Sequence, residues 1–125
     1  MKYSIGIALV AGVAVGAATM QMLHAQATPA AYSVTEIDVT DQAGYAPISA
    51  MLTTENQKSG SKQVVRGGKV ETIEGAAPKR VVISHWKSME EAKKFYTSDA
   101  AKKGFEDRKK FTSGARTYIV EALPN

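Results

Sequence analysis

Cysteine is absent from this 125-residue chain. Its absence excludes disulfides, a thiol nucleophile, thiolate-bound zinc, iron–sulfur clusters and covalently attached c-type haem. Histidine is almost as scarce, with only His24 and His85. A zinc site takes three or four protein ligands, so His85, the one histidine beyond residues 1–27, cannot build one unaided, and no metal and no cofactor are expected. Charge of one sign is also in short supply: 16 Lys and Arg stand against 12 Asp and Glu, a formal +4. So mild an excess favours solubility over a polyanion partner, and nucleic acid is not expected. Gly67-Gly68-Lys69 lacks the spacing of a phosphate loop and is flanked by extended segments. No stretch assembles a complete catalytic motif, so the activity is not legible in the residues alone.

Long apolar runs are missing too. The longest, Ile5 to Ala18, follows Lys2 and is diluted by Gly6, Gly12 and Gly16, whereas a membrane-spanning helix needs about 20 apolar residues. A basic residue, a short apolar core and then small residues form the layout of a secretory signal. Cleavage is expected after Ala27 or Ala25, with residues 1–27 as the signal peptide and the bacterial periplasm as the destination. The alternative is an uncleaved N-terminal membrane anchor. A bacterial lipid anchor would need a cysteine at the cut. Without Lys2 the remaining 98 residues carry 15 basic and 12 acidic side chains, a net +3. That length holds one domain with a modest core, here over 32–125 after a lead-in at 28–31, and the fold must stand on packing without disulfides.

The run Tyr32 to Val39 alternates and is rich in β-branched residues, which predicts a strand. Thr40 and Asp41 offer caps to a helix carrying Tyr45, Ile48, Met51 and Leu52 at helical spacing. Pro47 argues that the regular helix starts near Tyr45, and Gly60 is its natural stop. Gln63 to Arg66 and Lys69 to Ile73 around Gly67-Gly68 predict a tight hairpin. A central strand is expected in Lys79–Lys87, and Ser88-Met89-Glu90-Glu91 is a capping box for a helix with Ala92, Phe95 and Tyr96 on its buried stripe. Asp99 caps a further helix to about Lys110, with the intrahelical pairs Glu90–Lys94 and Glu106–Lys110. Ser113-Gly114 then leads into a strand from Arg116 to Ala122. The order predicts an α+β, ferredoxin-like βαββαβ sandwich with its helices on one sheet face. The chain is too short for a second layer, so a homodimer packed sheet to sheet is expected.

Ala31-Tyr32, Thr40-Asp41 with Tyr45, Val65-Arg66-Gly67-Gly68, Glu74-Gly75, Pro78 to Val82, Ser88 to Ala92 with Phe95 to Ser98, Arg108 and Tyr118 to Glu121 resemble domain-of-unknown-function family 1330. That family is similar to the dimeric α/β-barrel superfamily, which includes small monooxygenases, lactone isomerases, haem-binding enzymes and stress-response proteins. The resemblance implies the fold and no particular activity. His85-Trp86 replaces the acidic residue and phenylalanine that the family often has at the end of the central strand. Asp99 to Lys102 stands where a proline and an aromatic usually follow.

Candidate chemistry rests on few residues. His85, on the sheet face of Val81 and Ile83, has the residue type of an acid/base or a haem ligand, or is a hydrogen-bonded strand-end histidine. Arg66 and Arg80 are suited to grip a carboxylate, or to pair with Glu36, Glu71, Glu74 or Glu121. Tyr32, Tyr45 and Tyr96 are suited to donate hydroxyls to a ligand pocket between sheet and helices, or to serve as core aromatics. The leading expectation is an exported dimer that binds a small organic ligand or acts in envelope stress. The second is a cofactor-independent monooxygenase- or isomerase-like enzyme using His85, Arg66 or Arg80, and a tyrosine.

Overall fold

Alternating β-branched residues put β1 at Ala31–Val39, and the computed structural model, which describes residues 28–124, continues from it through seven further elements. They are α1 (Gln42–Lys58), β2 (Lys62–Arg66), β3 (Arg80–Trp86), α2 (Met89–Tyr96), α3 (Asp99–Arg108), a 3-10 turn (Lys109–Phe111) and β4 (Thr112–Glu121). The sheet has the order β2-β3-β1-β4 with every neighbour antiparallel. This is the expected ferredoxin-like α+β arrangement. The signal expected over 1–27 lies outside the described residues. No helix among the described residues is long and apolar enough to cross a membrane.

Several boundaries differ from the expectation, each for a local reason. Ala31 belongs to β1 and to the core rather than to a lead-in, being fully buried beside Trp86. α1 starts three residues before Tyr45 because Asp41 Oδ1 accepts from the Gly44 N–H at 3.1 Å and the Asp41 carbonyl from the Tyr45 N–H at 3.0 Å. Pro47 is accommodated inside it at the loss of one backbone bond. The tight hairpin is absent: Lys69–Ile73 is not a strand, and β2 pairs instead with β3 across a loop spanning 67–79. Ile73, 96% exposed, finds no sheet face to pack on. Ser98, not Asp99, caps α3, its hydroxyl accepting from the Ala101 N–H at 3.3 Å. β4 begins at Thr112, earlier than Arg116, because Thr112 still pairs with Val39 beyond a bulge. Glu90 pairs with Lys93 at 3.7 Å and Glu106 with Lys109 at 2.7 Å rather than with Lys94 and Lys110. Residues three apart lie on one helix face as residues four apart do, so both spacings bring opposite charges together.

The antiparallel register sorts the sheet into two faces. One presents Ser33, Thr35, Val82, Ser84 and Trp86 to the helices; the other presents Tyr32, Val34, Val81, Ile83, His85, Tyr118 and Val120. On the helix side the core gathers Ala31, Trp86, Ala92, Phe95 and Ala101. Trp86 has no exposed surface, stacks on Phe95 at 5.6 Å and donates its Nε1 hydrogen to Ser33 Oγ at 2.9 Å. α3 closes tightly on α1 at Gly104, where a Cβ would sit 2.5 Å from Leu52 Cδ2.

Candidate functional site

A cleft opens where α1 and α3 splay from the sheet. Its floor is the helix-side face: Ser33 and Thr35 from β1, Val82 and Ser84 from β3. α1 contributes Tyr45, Ser49, Leu52 and Asn56, a spacing that keeps one helical stripe on the cleft. α2 ends in Phe95 and Tyr96, and α3 supplies Phe105 and Arg108, three residues apart and hence on one face. Gln63, Arg66 and Arg80 close the β2–β3 side. The cavity volume is about 60 Å³.

The polar groups form a short network. Ser33 Oγ, in a residue 2% exposed, accepts from both the Tyr96 hydroxyl and the Trp86 Nε1, each at 2.9 Å. Both lone pairs are then used and only its own hydrogen is free. Burial pushes the Tyr96 hydroxyl above the usual tyrosine range, against the opposing effects of its bond to Ser33 and the Arg108 charge. Tyr96 therefore stays protonated and acts as a donor. Burial also draws the Arg108 guanidinium below the ordinary arginine range, with Tyr45 and Tyr96 opposing that shift; its Cζ lies 4.4 Å from the Phe105 ring centroid. Arg80 Cζ lies 6.0 Å from the Tyr45 ring, and its buried Nε has no hydrogen-bond partner. Asn56 is anchored through its Oδ1 to the Ser61 hydroxyl.

Of the residues singled out in the sequence, Arg66, Arg80, Tyr45 and Tyr96 meet in this cleft. His85 and Tyr32 do not. They face each other edge to face at 5.3 Å on the opposite side of the sheet, because Tyr32 and His85 are directly paired and both alternate away from the helices. The expected pocket role of Tyr32 is thus misplaced by one sheet thickness. The carboxylates weighed as partners for Arg66 and Arg80 are engaged elsewhere or unpaired: Glu36 binds Arg116 and Glu71 binds Lys69. Sequence reasoning overlooked Arg108, Asn56 and Ser33 as site residues. A usable signal was there, since Ala101, Gly104, Phe105 and Arg108 share a helical stripe, as do Tyr45, Leu52 and Asn56.

The sheet order, the helices on one face and a cleft between them define a ferredoxin-like α+β protein. Residues 30–123 match the family described as Domain of unknown function (DUF1330), and the chain belongs to that family. No curated protein matches the chain. Solved structures share the fold at low identity. A protein of unknown function from Rhodopseudomonas palustris is 12% identical, with TM-score 0.62, over 76% of this chain and 83% of that one. A protein assigned as an antibiotic biosynthesis monooxygenase from Caulobacter crescentus is 15% identical, with TM-score 0.57, over 77% and 92%. SnoaB, a cofactor-independent oxygenase from Streptomyces nogalater, is 9% identical, with TM-score 0.55, over 76% and 94%.

Proposed function

We propose that this is an exported, dimeric protein that binds a small organic molecule in the cleft between sheet and helices. The observation that carries the binding reading is the convergence there of Tyr45, Arg66, Arg80, Tyr96 and Arg108 with aromatic walls, because ligand sites combine apolar lining with a few placed polar groups. Dimerisation is supported by the uncovered sheet face, where Tyr32, Val65, Tyr118 and Val120 are 38%, 36%, 40% and 48% exposed. Export is supported by the Lys2, Ile5–Ala18 and Ala25-Gln26-Ala27 pattern. A thermal-shift screen of small acids, amides and aromatics tests the binding reading: ligands that raise the melting temperature are expected, and a panel without any hit rejects it. A processed N-terminus at Thr28 or Gln26 is the expected outcome for export.

A second reading, a cofactor-independent oxygenase- or isomerase-type enzyme, is favoured by the protonated Tyr96 hydroxyl beside a guanidinium, an arrangement suited to stabilising an enolate oxygen. In that version Tyr96 exchanges its hydrogen bond to Ser33 for one to the substrate oxygen and takes the donor role, since His85 lies across the sheet from the cleft. Turnover unaffected by Tyr96→Phe would reject it.

A further inference from the structure

The arginines of the cleft specify what kind of molecule it takes, an inference that rests on the small-molecule reading above. The chain has four arginines. Arg116, on the open sheet face, donates from Nε and Nη2 to Glu36 Oε2 at 3.0 and 2.6 Å. The other three, Arg66, Arg80 and Arg108, line one cleft, and among the described residues none of them makes an ion pair. No Asp or Glu lines that cleft. Guanidinium groups keep their charge at physiological pH, so three like charges line one cleft without a counter-charge, from the exposed Arg66 at its rim to the buried Arg108. Arg80 adds a local sign of the same kind in its unpartnered, buried Nε.

The backbone is shaped around that guanidinium. Gly67 follows β2 at φ +65°, and a Cβ there would lie 3.0 Å from Arg80 Cζ and Nη1. The absence of a side chain at 67 leaves the space in which Arg80 stands. The cleft walls are meanwhile apolar: Tyr45, Leu52, Val82 and Phe105. A water needs roughly 10–15 Å³ of such volume, so the cavity of about 60 Å³ suits a single ring or a short chain.

We propose that the ligand is a compact organic carboxylic acid, its oxyanion held by Arg80 with Arg66 and Arg108 and its apolar body against Tyr45 and Phe105. Planar guanidinium forks match carboxylates in bidentate geometry, and the aromatic walls favour an organic acid over inorganic phosphate. The test is calorimetric titration of the purified protein, at low salt, with sodium benzoate, benzamide and sodium phosphate. Benzoate and benzamide share a shape and differ in charge. Benzoate is expected to bind at least tenfold more tightly than either competitor. Arg80→Gln and Arg66→Gln are each expected to weaken benzoate at least tenfold, and Arg116→Gln to leave it unchanged. Arg66 is at an exposed strand position, so its variant keeps the test standing if Arg80→Gln does not fold. Equal affinity for benzamide would overturn the anion assignment and leave small-molecule binding intact. Phosphate binding as tightly as benzoate would overturn the organic acid. Neutral molecules in the wider panel binding where benzoate does not would sink this inference alone, whereas a panel with no binder at all would sink both.

Discussion

The two faces of the one sheet solve the problem of charge in opposite ways. On the open face the arginine, Arg116, is paired with Glu36 across β1 and β4 and sits at the edge of an apolar surface. That pairing holds the Arg116 guanidinium above its ordinary range, the hydrogen bond being the larger cause. On the helix face three arginines share a cleft without a single carboxylate, and the buried one, Arg108, is drawn below its ordinary range by desolvation. In the proposed dimer the open face gains from neutralised charge, since an unpaired charge resists burial. A site bound for an anion gains from leaving its cations without partners, because interactions completed only by the ligand contribute to affinity.

The largest way to break this contrast is at Trp86, which belongs wholly to the helix face. Trp86→Ala is expected to destabilise the protein by about 3–5 kcal/mol, read by urea unfolding, and a loss under 1 kcal/mol would mean that the core lies elsewhere. Next comes Val34→Glu, in the middle of the open face. It is expected to give single chains in light scattering with unchanged circular dichroism, because an unpaired carboxylate resists burial in an apolar seam; a persistent dimer would place the interface on another surface. Smaller still is Arg108→Met. Removing a cation that burial disfavours is expected to leave the ligand-free protein as stable or more so at neutral pH, while acid binding falls at least tenfold. The sign follows from the depressed guanidinium: its charged form costs stability at every pH below the ordinary arginine range. Equal affinity in the variant would remove Arg108 from the site. The smallest effect is expected for Glu36→Gln. The Arg116 side chain is 73% exposed and that of Glu36 22%. In the Val34→Glu background, where single chains are expected, the variant is therefore expected to lose no more than about 1 kcal/mol in thermal unfolding.

The sequence carried the α+β order, the Ser88 cap, the opposite facing of His85 and Trp86 and the helical stripes because those features follow from period 2, period 3.6 and short-range hydrogen bonds. It misread the segment after Gly67 for a related reason. Lys69–Ile73 has the composition of a strand, yet β2 takes β3 as its partner and remains the edge of the sheet, so the segment after Gly67 serves as the β2–β3 connection. Site assembly was half legible. Arg66, Arg80, Tyr45 and Tyr96 were identifiable by type, but whether they share a cavity with Tyr32 and His85 depends on the parity of β1 and β3 relative to the helices. Arg108 shows the same dependence: the helical stripe it shares with Ala101, Gly104 and Phe105 marks its face, but which cavity that face meets is set by the packing of α3 on α1.

By itself, then, the sequence determined the helices and the four sheet strands, the family and the absence of thiol chemistry, all of which depend on neighbours along the chain or on composition. Only the tertiary structure decided that three arginines, at positions 66, 80 and 108, line one cleft without a counter-charge, because that meeting is set by the β2–β3 register and the closure of α3 on α1 at Gly104.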